Sequence, residues 1–507
     1  MAAALVAAGH TQEPNFGGRA RVLVNEAGLP GIDRGLREQE PPMEPYGRGT
    51  RGLARASRAG TADPPGAYVP GAVIVKFKNG AAASGINSAM RAVAASSIER
   101  PSYANFDLLE IPAGADAEAI AAQLRDRPDV EYAQPRYRNY PMLRPNDPLY
   151  DRQWSFPLLD MERAWDIQPN AGSEVTVAVL DTGVAFRTST LRYNSRFDWR
   201  LTSTSPVFPA LGVVEVPFAV APELGEAKFV APRDFVWDDN LPFDLDGHGT
   251  HVSGTIGQLT NNNVGVAGMA FNVKLMPVKV IDEVWDFVFG SPNSGTDDTV
   301  ARGVRYAADN GAQVINMSIG RTEGGAASVV EDAIRYAVSH GVFVAVAAGN
   351  SADTGNSASR TAEAAPDIAG MVAVAAVSRD RERAYYSTTN TYVEISAPGG
   401  DQRRHGNTGG VLQQTLDQDL LHTYQNTYRT PRADSFAFYY FQGTSMATPH
   451  VSGFAALLIQ QGITSPAAIE AAMKQFAVDL GRAGVDSEYG AGLINPRATL
   501  RGLGLAR

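Results

Sequence analysis

The sequence predicts an α/β protein, a doubly wound parallel sheet with flanking helices, preceded by a smaller α+β unit. Residues 175–180 and 342–348 are continuous apolar runs of strand length, as expected of strands buried on both faces. Such runs alternate with segments whose apolar residues recur at helical spacing, the order that parallel crossover connections require. Several runs end in polar, glycine-containing turns, among them Asp181-Thr182-Gly183 and Gly349-Asn350-Ser351. Ligands in sheets of this kind sit at the carboxyl ends of strands.

Taken in order, the elements divide the 507 residues into segments 1–67, 68–140 and 141–507. Residues 2–9 are apolar but short, lack a basic start and lead to no clear signal-peptidase site. Residues 11–65 are rich in Gly, Pro, Arg and Glu without apolar periodicity, so 1–67 is expected to be a leader or mostly disordered. Val73, Val75 and Phe77 then alternate as a strand, and 86–95 follows as a helix. A strand over 106–111, a helix over 116–127 with Ile120 and Leu124 on one face, and a strand over 130–136 complete the α+β unit.

After the strand at 175–180, a helix opens at His248, followed by a strand at 273–281, a helix at 297–309 and a strand at 312–319. A helix at 326–340 leads into the strand at 342–348, and another strand covers 371–377. The aromatic run Phe436, Phe438, Tyr439, Tyr440 and Phe441 is expected to flank the sheet as a strand. A long apolar helix begins near Ser445, and a helix over 467–476 closes the domain. Room for insertions lies around 192–230 and 400–440, where long loops near a cleft restrict or extend access.

Three element boundaries carry chemistry. Asp181 ends a strand, His248 lies in Asp-Gly-His-Gly-Thr-His, and Ser445 lies in Gly-Thr-Ser-Met-Ala-Thr-Pro-His at the start of a helix. A serine hydroxyl is a poor nucleophile at neutral pH, so an imidazole must take its proton and return it to the leaving group. A carboxylate on the other ring nitrogen fixes the tautomer and stabilises the imidazolium. A helix N-terminus beside the serine favours a developing oxyanion, and the Asn350 side-chain amide is a second donor. His251, one helical turn after His248, and His450, beyond the proline of the serine block, are expected to pack rather than react. His10, His340, His405 and His422 have no partner signal, and surface placement is the default.

Four blocks in the order Asp-Thr-Gly, His-Gly-Thr-His, Ala-Gly-Asn and Gly-Thr-Ser-Met-Ala-Thr-Pro-His resemble those of subtilisin-like serine proteases (subtilases, peptidase family S8), over about 150–500. The resemblance implies catalytic roles for Asp181, His248, Ser445 and Asn350. It also implies that Ser318, Ile319 and Gly320 pair with an extended substrate and, with Ala347, Ala348 and Gly349, wall the first specificity pocket. These small walls leave room for a large apolar side chain. Asn293, Ser294 and Gly295 would form the strand on the substrate's other side. Asp297, near the fourth pocket, is expected to be an exposed helix N-cap, and Glu363 lies near the first pocket.

The unit at 68–140, with the block Pro128-Asp129-Val130-Glu131-Tyr132-Ala133-Gln134-Pro135, is similar to the ferredoxin-like inhibitory propeptide of such zymogens. Autocleavage would then fall between about Arg136 and Asn146. No cofactor is required for the chemistry. Residues 259–265 resemble the family's structural calcium loop, implying Asp147, Asn262 and the carbonyls of Leu259, Val264 and Val266 as oxygen ligands. The family's further aspartate, nine residues after the catalytic one, is here Thr190, so one carboxylate is missing. Asp234, Asp238, Asp239, Asp244 and Asp246 form a separate acidic cluster, for which a solvated loop is the commoner reading.

The net charge of −10, from 44 basic and 54 acidic residues without a long basic run, argues against a nucleic-acid partner. No run of eighteen apolar residues is present, so a membrane span is not expected. The absence of cysteine excludes disulfides and thiolate metal sites, and fits a bacterial secreted or cell-envelope enzyme as well as a cytosolic one. The expected partners are protein or peptide substrates and the chain's own propeptide, with the enzyme a monomer. Three rivals remain beside an endopeptidase zymogen. They are an acyl-transferring, peptide-cyclising relative, a catalytically silent binding module, and an exported protease restricted to one partner protein.

Overall fold

The computed structural model describes residues 20–21, 68–112, 114–137, 143–196, 198–199, 207–421 and 430–502. The expectations for residues 1–67 other than 20–21, for His10 and His422, and for most of the linker after Tyr137 lie outside the described residues. Two units are present, a smaller one within 68–137 and a larger one over 143–502.

In the smaller unit, β1 (Tyr68–Phe77) turns Val73, Val75 and Phe77 to one face. It is followed by α1 (Ala83–Ala92), β2 (Ser97–Glu99), β3 (Asp107–Glu110), α2 (Ala117–Arg125) and β4 (Val130–Tyr137). The α2 N-terminus is capped by Asp116, which accepts from the N–H groups of Glu118 and Ala119. The sheet order β2-β3-β1-β4, with every pair antiparallel, is the ferredoxin-like arrangement. Its core holds Val73, Val75, Leu109, Ala121 and Leu124. Sequence reasoning missed β2 because it is only three residues long and buries no side chain fully.

The larger unit begins with α3 (Met161–Ile167), β5 (Thr176–Asp181), β6 (Ser189–Ser195), β7 (Gly212–Phe218), β8 (Arg233–Asp234), α4 (His248–Gly257) and β9 (Lys274–Lys279). Next come α5 (Val284–Phe289), α6 (Asp297–Asp309), β10 (Val314–Met317), α7 (Ser328–Ser339), β11 (Phe343–Ala347), β12 (Met371–Val377) and β13 (Ile395–Pro398). The last elements are β14 (Val411–Leu416), β15 (Phe436–Phe441), α8 (Thr444–Gln460), α9 (Pro466–Gln475) and α10 (Pro496–Gly502). Seven strands form one parallel sheet in the order β13-β12-β11-β10-β5-β9-β8. The chain runs from β5 to β9 on one side and then to β10 on the other, so the order reverses at β5, where Asp181 stands.

Burial explains the apolar runs. β10, β11 and β12 are buried at every residue, and α6 and α7 turn Val304, Ala307, Val330 and Ile334 onto them. The stretch around 192–230 contains a hairpin, β6 against β7, and β15 pairs antiparallel with β14, a strand the sequence did not announce. Ala20 and Arg21 pair with Tyr440 and Tyr439. After α9, Leu493 forms bridges to Ser396 and Val478, in a stretch where Gly490 and Gly492 take positive φ. His405 is mostly covered and pairs with Asp380 instead of lying on the surface.

Phe343, fully buried on β11, tests this core. In a Ser445→Ala background, Phe343→Ala should lower unfolding free energy by about 3–5 kcal/mol in denaturant melts, whereas a loss below about 1 kcal/mol contradicts the packing described.

Candidate active site

Asp181 and His248 meet in the interior, both almost fully buried, with His248 Nδ1 2.6 Å from Asp181 Oδ1. The contact depends on how the turn after β5 meets the start of α4. Asp244 Oδ1 accepts from Thr182 Oγ1 and from the N–H groups of Asp246 and Gly247, and its Oδ2 accepts from Thr250 N–H and Oγ1. Thr182 Oγ1 in turn accepts from Gly249 N–H at 3.0 Å. A Cβ on Gly249 would lie 2.0 Å from the Gly183 carbonyl oxygen, so no other residue lets the two segments close.

The expected acidic cluster is therefore divided between interior and surface, with Asp238 exposed. Asp234, Asp244 and Asp246 are buried, no metal-holding group of three His, Cys, Asp or Glu occurs among the described residues, and Asp238 pairs with Arg233. A second buried charge braces the same turn. Lys279 donates to the carbonyls of Thr182 (2.7 Å) and Phe243 (3.2 Å) and to Asp286 Oδ2 (2.7 Å), with both charged side chains inaccessible to solvent. Sequence reasoning missed Lys279. A lysine at the end of an apolar strand was its only signal.

Ser445 and Asn350 belong to the neighbouring edge. Register places Asn316 beside Val179, so Ser318 follows beside Asp181 one strand away. Ser318 and Ser445 clasp reciprocally: Ser445 Oγ donates to the Ser318 carbonyl at 3.0 Å, and Ser318 Oγ donates to the Ser445 carbonyl at 2.8 Å. That second acceptor is available because residue 449 is proline, which has no N–H to return to the carbonyl four residues earlier in α8. Asn350 Oδ1 accepts from Thr444 N–H (2.8 Å) and Oγ1 (2.9 Å), which fixes the amide orientation and directs its NH2 away from Thr444. His251 stacks on Phe441 and His450 contacts Phe156, and burial pushes them down to about 3 and about 4. Both are packing residues, as expected.

Of the expected substrate-binding segments, Ser318–Gly320 follows the end of β10, and Ala347–Gly349 begins with the last residue of the neighbouring β11, where Ala347 pairs with Val374 of β12. Asn293, Ser294 and Gly295 are not a strand. Asn293 is turned inward, its Nδ2 donating to the Phe235 and Val236 carbonyls, and Gly295 N–H donates to Asp282. Asp297 is not the cap either. Thr296 caps α6, and Asp297 is held by Arg321. Glu363 pairs with Arg360.

Of the expected calcium ligands, Asp147 and Asn262 lie together. Asp147 is buried and accepts from the N–H groups of Asn261 and Asn262, and Asn262 Oδ1 accepts from Val264 N–H. Thr190 lies on β6 opposite Pro217 and is exposed, so it contributes nothing. A carboxyl group absent from the sequence expectation stands near Asp147. Glu223, just past the β6–β7 hairpin, is 2% exposed, interacts with Asn262 and Gln258, and has an Oε2 with no hydrogen-bond partner among the described residues. Burial, with Asp147 nearby, pushes its carboxyl up to about 7. Two buried carboxyl groups and an amide oxygen, the donor type a hard cation such as calcium takes, are thus near one another.

The Subtilase family model matches residues 172–492, and the Fervidolysin N-terminal prodomain model matches residues 54–136. The chain is 31% identical over 431 residues to a thermophilic serine proteinase of Bacillus sp. strain AK1, covering 84% of this chain and 86% of the relative. It is 30% identical over 356 residues to thermitase of Thermoactinomyces vulgaris, covering 69% of this chain and 97% of thermitase. A solved protease structure from Pseudoalteromonas arctica superimposes with a TM-score of 0.52 at 28% identity, covering 71% of this chain and 99% of that one.

The buried Lys279–Asp286 pair generates a prediction. Lys279→Met should cost about 3–5 kcal/mol, because Asp286 is left as an uncompensated buried charge. Replacing both residues by apolar ones should recover much of that loss in the same thermal and denaturant melts. A neutral single substitution contradicts the bracing role.

Proposed function

This chain belongs to the subtilase family of serine proteases and carries a fervidolysin-type prodomain, and on that premise we propose that it is an endopeptidase made as a self-processing zymogen. The observation that carries the reading is the buried 2.6 Å contact between His248 Nδ1 and Asp181 Oδ1. An ionised carboxylate only accepts, so the ring proton stays on Nδ1 and Nε2 serves as the base. Ser445 Oγ, which at rest donates to the Ser318 carbonyl, turns to Nε2, gives up its proton and attacks the carbonyl carbon of the scissile bond. The oxyanion is met by the Asn350 amide, whose oxygen is already engaged by Thr444, and by the N-terminus of α8. The proton on Nε2 then passes to the leaving amine, and water repeats the sequence on the acyl-enzyme.

An extended peptide is the substrate that suits the site. Its backbone adds as a strand to Ser318, Ile319 and Gly320. Residues 68–140 act as the inhibitory propeptide, released by a cut between Arg136 and Asn146, and they assist the folding of a parallel sheet whose strand partners are distant in sequence. Asp147, Glu223, Asn262 and the carbonyls of Leu259, Val264 and Val266 would hold calcium, whose charge would neutralise the two buried carboxyl groups. Membership of this family supports a secreted or cell-envelope setting.

Intact mass and fluorogenic-peptide turnover test the reading. The wild-type chain should shorten to begin between Arg136 and Asn146. Ser445→Ala should stay full length and lose about five to six orders of magnitude in kcat. Asn350→Ala should lose a factor of about 10² to 10³ in kcat with KM little changed. If Ser445→Ala turns over peptide like the wild type, the assignment fails. In the Ser445→Ala background, calcium at a hundredfold excess over its Kd should add about 2.7 kcal/mol of stability over chelator. Glu223→Gln should remove most of that increment, and an unchanged calcium response would exclude Glu223 as a ligand.

A further inference from the structure

A polar residue stands between the two segments assigned as walls of the first pocket. Gly320 and Gly349 stand on the two walls, and Ser359 lies between them. A Cβ on Gly320 would come 2.6 Å from Ser359 Oγ, and one on Gly349 would come 3.5 Å from Ser359 Cβ. The segment carrying Ser359 is tied to both walls. Arg360 N–H donates to the Arg321 carbonyl at 2.8 Å, while the Tyr392 hydroxyl donates to the Ala348 carbonyl at 2.8 Å and accepts from Ser359 N–H at 2.9 Å. Ser359 thus sits where a substrate side chain entering between the walls would end, and it is 2% exposed.

Two hydrogen-bonding groups of this segment are buried without a partner among the described residues, Ser359 Oγ and Arg360 Nε. Arg360 spends Nη1 on both oxygens of Glu363, each at 3.1 Å, which leaves the Nε edge of the guanidinium for another acceptor. Buried donors without acceptors are costly, and a site built to hydrogen-bond a substrate group rejects analogues that lack it. An apolar side chain would leave both donors unpaired, whereas a terminal carbonyl oxygen would satisfy them.

Resting on the assignment of Ser318–Gly320 and Ala347–Gly349 as pocket walls, we propose that Ser359 and Arg360 make this protease select glutamine or glutamate immediately before the scissile bond. Glu363 sets the order between the two. Its carboxylate already neutralises one side of Arg360 and repels a second carboxylate, so glutamine is preferred to glutamate. The preference departs from the large apolar side chain that small pocket walls alone suggest.

The test is kcat/KM of the self-processed full chain on fluorogenic peptides that differ only in the residue before the scissile bond: Gln, Glu, Leu, Phe or Lys. Gln should exceed Leu and Phe by about tenfold or more, the scale of one satisfied buried hydrogen bond to a charged donor, with Glu between them. Arg360→Met should remove that advantage and raise the relative rate on Leu, and Glu363→Gln should bring Glu level with or above Gln. Best turnover of Leu, Phe or Lys by the wild type overturns the proposal without touching the protease assignment, and this reading needs no variant to fold. Failure to cleave any of the five peptides or unfolded casein overturns the protease assignment and the proposal together.

Discussion

The closure of the turn after β5 onto the start of α4 is the constraint on which the rest of the molecule depends. Asp244 accepts five hydrogen bonds there, from both sides of the joint. Lys279 reaches the same turn from the neighbouring strand, through the carbonyls of Thr182 and Phe243. A buried carboxylate with five donors and a buried ammonium with three acceptors are costly groups that have been fully paired, and each would be strongly destabilising if one partner were removed. Their geometry leaves no space for a side chain at Gly249, and it holds Asp181 and His248 in one relative position.

The serine edge is held by a different device with the same result. Pro449 interrupts the hydrogen-bond ladder of α8 near its start, and the carbonyl so released receives the Ser318 hydroxyl. Asn316 extends the clasp, donating to Ser318 Oγ and accepting from Ser452 Oγ. A helix start is thereby fastened to the end of β10, one strand from Asp181. Groups that must react together are carried on rigid elements and locked by neighbours that do not react, which is how a site keeps its geometry without substrate.

Replacement at a distance also marks this chain. Thr190 stands where relatives of the family place a carboxylate, and Glu223, past the following hairpin, reaches the loop beside Asp147 instead. The insertion around 192–230 therefore brings a second buried carboxyl group to the loop from a different part of the chain. Ser359, Arg360 and Glu363 likewise come from after the Asn350 turn: Ser359 stands against Gly320 and Gly349, and Arg360 pairs with Glu363.

The sequence by itself determined the alternation of strands and helices, the small α+β unit, and the four residues around which the chemistry is proposed. Those features are local. Periodicity of two or 3.6 residues, glycine turns and a proline in a helix act within a few positions, which is why α6 and β12 begin and end where their patterns do. Only the tertiary structure decided the roles of Asp244, Lys279, Glu223 and Ser359, and only it turned Asn293 inward and took Asp297 to Arg321. Each of these depends on which group lies opposite once distant segments meet. The cost of burying a polar or charged side chain is set by that partner, and composition or spacing along the chain does not encode it.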